Sequence, residues 1–92
     1  MDENKIIVTI SGTDKVGIVA KFTNILAEYM VNIEDIKQTL MQGYFVMFLL
    51  ADISQSKHSF KEIKEVLIST GEELEMEVWV QRKGIFDKMH MI

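Results

Sequence analysis

Apolar residues recur along this chain at two alternating spacings, and the switches between them predict its elements. From Lys5 to Ser11 the spacing is two: Ile6, Val8 and Ile10 point one way and Ile7, Thr9 and Ser11 the other, as in a strand of β-branched residues. The loop Gly12-Thr13-Asp14-Lys15-Val16-Gly17 follows. Ile18, Phe22, Ile25, Leu26 and Tyr29 then recur at helical spacing, with Lys21, Asn24 and Glu28 on the wet side. This helix should end near Met30. Ile33 to Met41 reads as a second strand with polar residues on both faces, which suits a sheet edge. Gln42-Gly43 reads as a hairpin turn into Tyr44–Ala51 (YFVMFLLA), whose unbroken apolar run predicts a strand buried on both faces.

After the polar connection Asp52–His58, Ser59-Phe60-Lys61-Glu62 matches a capping box. It opens a helix with Phe60, Ile63, Val66 and Leu67 as its stripe and Gly71 as a C-terminal cap. Leu74, Met76, Val78 and Val80 alternate with Glu75, Glu77, Trp79 and Gln81 as a last strand. The order β-α-β-β-α-β predicts an α+β, ferredoxin-like sandwich with a four-stranded antiparallel sheet. Right-handed crossovers put both helices on one face and the first and third strands at the centre. The other face, carrying Ile7 and Trp79, needs a cover. Gly84 to Ile92 offers one: Ile85, Phe86, Met89 and Ile92 form an amphipathic stripe, predicting a short C-terminal helix over that face, or over a partner's, with Phe86 near Trp79. The alternative is a frayed end.

Around the first loop the residues allow more than one role. Asp14 is a candidate N-cap, which would place Gly17 inside the first helical turn. A glycine there either lets the helix pack closely on its sheet or leaves backbone N–H groups accessible to a carboxylate or phosphate. Asn32, just past the helix, is a candidate C-cap.

The segments Asp14-Lys15-Val16-Gly17-Ile18 and Val31-Asn32-Ile33 resemble an ACT domain, a small regulatory βαββαβ module that commonly binds amino acids. Gln38-Thr39-Leu40-Met41-Gln42-Gly43-Tyr44-Phe45 and Ile85-Phe86-Asp87-Lys88-Met89-His90 are similar to a family of single-ACT-domain proteins related to the glycine cleavage system transcriptional repressor. The resemblance implies one ACT domain over 1–92, with 84–92 as a helical extension. It also implies an amino-acid-type ligand at a homodimer interface, contacted by Gly12, Thr13, Asp14, Lys15, Val16, Gly17, Ile18, Asn32 and Ile33. Loop N–H groups would hold the carboxylate, and Asp14 or Asn32 would receive the ammonium. Many ACT domains carry proline immediately before the glycine; here Val16 stands there, and the loop lacks proline's fixed φ.

Composition narrows the classes. Ninety-two residues suit one domain, small enough that a symmetric dimer through the Ile33–Met41 edge is expected. A net charge of −4 with scattered basic residues argues against a nucleic-acid surface. No apolar run reaches the ~20 residues of a membrane helix. The polar start Met1-Asp2-Glu3-Asn4-Lys5 is unlike a signal peptide, and the absence of cysteine fits the cytoplasm. His58 and His90 lack ligand-spaced neighbours, the serines lack a nucleophile elbow, and Glu75 and Glu77 fall on a solvated strand face. The expectation is a non-enzymatic regulatory module without cofactor or metal. A ligand-free module acting through a protein partner is the alternative.

Overall fold

The computed structural model describes residues 2–89. A short turn at Asp2–Asn4 leads into β1 (Lys5–Thr13), α1 (Ile18–Glu28), β2 (Asn32–Met41), β3 (Tyr44–Asp52), α2 (Phe60–Glu73), β4 (Glu77–Arg82) and α3 (Lys83–Met89). The sheet order is β2-β3-β1-β4, with every neighbouring pair antiparallel. The predicted ferredoxin-like arrangement is therefore present, with β1 and β3 central and a C-terminal helix added.

Period-two patterning decides which face of the sheet is dry. Ile6, Val8 and Ile10 of β1, Phe45, Met47, Leu49 and Ala51 of β3 and Val80 of β4 are all buried. Against them pack Ile18, Phe22 and Leu26 of α1 and Ile63 and Leu67 of α2. Each fully buried side chain of this size contributes about 1.5–3 kcal/mol. β2 joins this face through an irregularity: its register with β3 slips between Ile33 and Asp35. The bulge lets Ile33 and Ile36 both pack against the core, while Glu34 reaches Lys5 Nζ at 2.8 Å.

The helix ends differ from expectation, and for one shared reason. Both helices close in a Schellman motif. In α1, the Val31 N–H donates to Leu26 O and the Met30 N–H to Ala27 O. In α2, the Met76 N–H donates to Gly71 O and the Glu75 N–H to Glu72 O. The left-handed residues are Met30 and Glu75, each with φ 59°. Asn32 is not a cap; it is the first residue of β2. Gly71 is not a cap either but lies inside α2. A Cβ there would come within 2.3 Å of Val78 Cγ2, so Gly71 lets α2 lie against the start of β4. The cap also consumes residues that alternation assigned to the last strand, which begins at Glu77 rather than Leu74. The capping box does form: the Glu62 N–H donates to Ser59 Oγ, and the Ser59 N–H to Glu62 Oε1.

β3 is not buried on both faces. Tyr44 and Phe48 point away from the helices and are 53% and 43% exposed. The apolar run reflects a sheet whose second face is only partly covered. α3 lies over the β1 and β4 side of that face. Phe86 shares a cleft of about 220 Å³ with Trp79 and Met89, and the Gln81 amide donates to Met89 Sδ. The predicted stripe is narrower than expected. Only Phe86 turns inward, Ile85 and Met89 remain more than half exposed, and Ile92 lies outside the described residues.

Two substitutions test these helix ends. Met30→Gly removes the left-handed strain of an exposed side chain and should stabilise the fold by about 1 kcal/mol. Gly71→Ala should cost about 1–3 kcal/mol as β4 is pushed off α2. Both are read from chemical-denaturation midpoints. A pH series adds a third check. The Ser59 N–H holds the Glu62 carboxyl below its ordinary value. The associated stability is complete above the ordinary glutamate value and is lost as pH falls through the lowered one. Glu62→Gln should flatten that acid-side loss of stability.

Candidate functional site

The loop after β1 is shorter than the pattern predicted. β1 continues through Gly12, paired with Phe45, and Thr13, paired with Tyr44, leaving Asp14–Gly17 as the turn. The Asp14 N–H donates to Gly43 O at 3.0 Å, tying this turn to the β2–β3 hairpin. In that hairpin both central residues, Gln42 and Gly43, have positive φ, the geometry that matches strand twist. Lys15 ties the turn on its other side: Nζ donates to Leu74 O at 2.7 Å and lies 3.2 Å from Glu75 Oε1.

Asp14 is not the N-cap of α1. That position is held by Gly17, at φ 85° and ψ 4°, with no side-chain cap. The glycine is there for its left-handed backbone, which an L side chain adopts only with strain. Nothing lies within 4 Å of where its Cβ would be, so close packing of the helix on the sheet is not its role. The start of α1 therefore opens outward, with Ile18 buried beneath it as part of the core and Val16 fully exposed at its rim.

Beside this turn is a cleft of about 250 Å³ lined by Asp14, Gln38, Thr39, Leu40 and Phe45. It sits between the loop and the outer strand β2. Gln38, Thr39 and Leu40 were not anticipated as site residues. The signal lay in strand direction: β2 runs parallel to β1 across β3, so the end of β2, not its start, lies level with the loop. Asn32 and Ile33 stand at the opposite end. Asn32 pairs with Asp52, which pairs with Lys5, whereas Thr13 pairs with Tyr44, which pairs with Met41. Eight strand steps, roughly 26 Å, separate the two places. Within one chain the structure brings Gly12, Thr13, Asp14, Lys15, Val16, Gly17 and Ile18 together and leaves Asn32 and Ile33 far away.

A family model described as ACT domain matches residues 4–81. The chain belongs to the ACT domain family. A UPF0237 protein of Listeria innocua is 46% identical over 86 residues, covering 94% of this chain and 97% of its own length. An ACT domain protein from Streptococcus pneumoniae superposes with a TM-score of 0.78 at 35% identity, over 90% of this chain and 93% of its own. A putative glycine cleavage system transcriptional repressor shares the fold, with a TM-score of 0.77 at 20% identity, over 86% of this chain and 45% of its own. ACT domains are generally regulatory and ligand-binding. Among the described residues no group of three or more His, Cys, Asp or Glu could hold a metal ion, and no helix is long and apolar enough to cross a membrane. His90 lies outside the described residues.

The brace on the loop is testable. Lys15→Met removes both contacts to the α2–β4 turn. Amide exchange in residues 13–17 should accelerate, while global stability changes by less than about 1 kcal/mol, because the pair is solvent-exposed.

Proposed function

We propose that this ACT domain senses an amino acid or a similar small metabolite at a homodimer interface, with residues 1–92 acting as one regulatory unit and 84–92 as its extension. The observation that carries the reading is the open, side-chain-free start of α1 at Gly17, placed beside a cleft whose outer wall is an edge strand. Free N–H groups at a helix start favour a carboxylate, and the Asp14 carboxylate suits an ammonium.

The separation of Asn32 from the loop supports a two-chain site. If two copies pair antiparallel along β2, Asn32 of the partner subunit comes beside Leu40 and the loop. The contacts implied by the family resemblance are then supplied by two chains, and one two-fold axis generates two equivalent sites. Regulation, rather than catalysis, is the proposed output, in a cytoplasmic setting. Exposed Val16 in the turn and exposed Leu40 on the edge strand favour a second reading, in which this side of the molecule recruits a protein partner with no ligand.

A thermal-shift screen of the twenty amino acids separates the two readings. A ligand at about a hundred times its dissociation constant should stabilise the fold by about 2.7 kcal/mol. Gly17→Val should abolish that shift while leaving the far-UV spectrum nearly unchanged. Leu40→Glu should reduce the sedimenting species to monomer and remove the shift with it. Binding retained in Gly17→Val would place the site elsewhere, and no shift with any amino acid would favour the partner-only reading.

A further inference from the structure

The outer edge of β2 carries two opposite charges that nothing in the chain answers. Asp35 and Lys37 stand on either side of Ile36, on the face away from the helices, beside Leu50 and Phe48 of β3. Both are exposed. Among the described residues neither has an ion-pair partner, although the neighbouring Glu34 is held by Lys5. Ile36 itself turns to the helix side and packs against the core. The other edge has no such arrangement: Glu77, Trp79 and Gln81 of β4 share the open face and carry a single charge.

We infer that Asp35 and Lys37 are the self-recognition element of the β2 edge, and that its partner is a second copy paired antiparallel with Ile36 on the two-fold axis. The inference rests on the edge dimer proposed above and fixes its register. With Ile36 opposite Ile36 of the partner subunit, Asp35 lies opposite the partner's Lys37, and Lys37 opposite the partner's Asp35. One axis therefore makes two identical ion pairs from charges that are unpaired in a single chain.

Neighbouring registers fail on the same residues. A two-fold axis normal to the sheet sets one residue of β2 opposite its own mate, so the register changes as the axis moves residue by residue. A half-step would set open-face side chains against helix-side ones. At Asp35 the axis would put two carboxylates together, and at Lys37 two ammonium groups; like charges directly opposed are destabilising. Further toward Met41 the ladder shortens and both charges lose their partners. Further toward Asn32 the axis enters the bulge at Glu34. Exposed pairs add little raw affinity. What they decide is which alignment forms and which partners are refused.

The register has a consequence for the cleft beside the loop. Counted across the bulge, it sets the partner's Asn32 level with Thr39, which lines that cleft together with Asp14. At ~3.3 Å per strand residue, an axis moved by one residue would displace the partner's Asn32 by roughly 6.6 Å. Asp35 and Lys37 stand outside the cleft and act as positioning residues for it.

Charge reversal tests this directly, because both side chains are exposed and the fold does not use them. Sedimentation of the full chain, without added ligand, is followed over about two decades of concentration. Asp35→Lys and Lys37→Asp should each raise the dimer dissociation constant on the order of tenfold, since two attractions become two repulsions. The chain carrying both reversals should regain wild-type association. An equimolar mixture of the two single variants should form mixed dimers in preference to either homodimer, read by native mass spectrometry. The chain contains no cysteine, so Ile36→Cys gives an independent readout. Mild oxidation should cross-link it to its mate, whereas Gln38→Cys, two residues from the axis, should stay uncross-linked. An edge dimer that Leu40→Glu disrupts, but that ignores the single reversals or is not restored by the double one, would overturn the register and leave the edge dimer standing. A wild-type chain that sediments as monomer throughout would overturn the edge dimer, and the inference with it.

Discussion

This chain has two long helices for a sheet with two faces, and the handedness of its crossovers assigns both helices to the same face. Everything else in the molecule adjusts to that constraint. The helix side receives a core of aliphatic and aromatic side chains that are almost wholly out of water. The other side receives one seven-residue helix, which shelters Phe86 and part of the face and leaves aromatic rings half in solvent. A larger domain could spend a further element on such a face. A chain of this size meets it with a short tail.

Where the sequence was legible, it was so because burial imposes a period. Ile6, Val8 and Ile10 read correctly because one side of β1 is fully dry. Phe22, Leu26, Ile63 and Leu67 read correctly because each helix has one dry stripe. The run Tyr44–Ala51 misled because an apolar run reports hydrophobicity and not what stands opposite. Tyr44 and Phe48 are as apolar as core residues, yet they await a cover the fold does not provide. The helix ends misled for a different reason. Glycine and asparagine are the usual left-handed residues, but here Met30 and Glu75 take that conformation, held by the paired hydrogen bonds of the Schellman turns. Gly71, the expected stop, is used instead for its missing side chain. Strain at Met30 and Glu75 costs little enough for the cap to absorb, and composition does not reveal it.

The candidate site illustrates a limit that is geometric. The loop was legible as a local motif, and Gly17 as its pivotal residue, although its backbone is left-handed rather than helical. The relation of the loop to Asn32 was not legible, because proximity in a motif is not proximity in space. A crossover helix carries the chain back along the sheet, so the residue following the helix lands at the far end from the residue preceding it. A site that uses both is, on the reading proposed above, assembled from two chains.

The bulge at Glu34 has a consequence for assembly. An exposed edge strand is a template, and a sheet with two similar edges can add copies without end, each β2 pairing with the next molecule's β4. Here the edges differ: β2 spans ten residues and carries an irregularity, while β4 spans six and runs directly into α3. A mismatched pairing would leave four residues of β2 hanging past its partner. On the proposed reading the long edge finds its equal in another β2 turned end for end, a contact that uses the β2 edges of both copies and leaves the short β4, which ends in α3, as the poorer template.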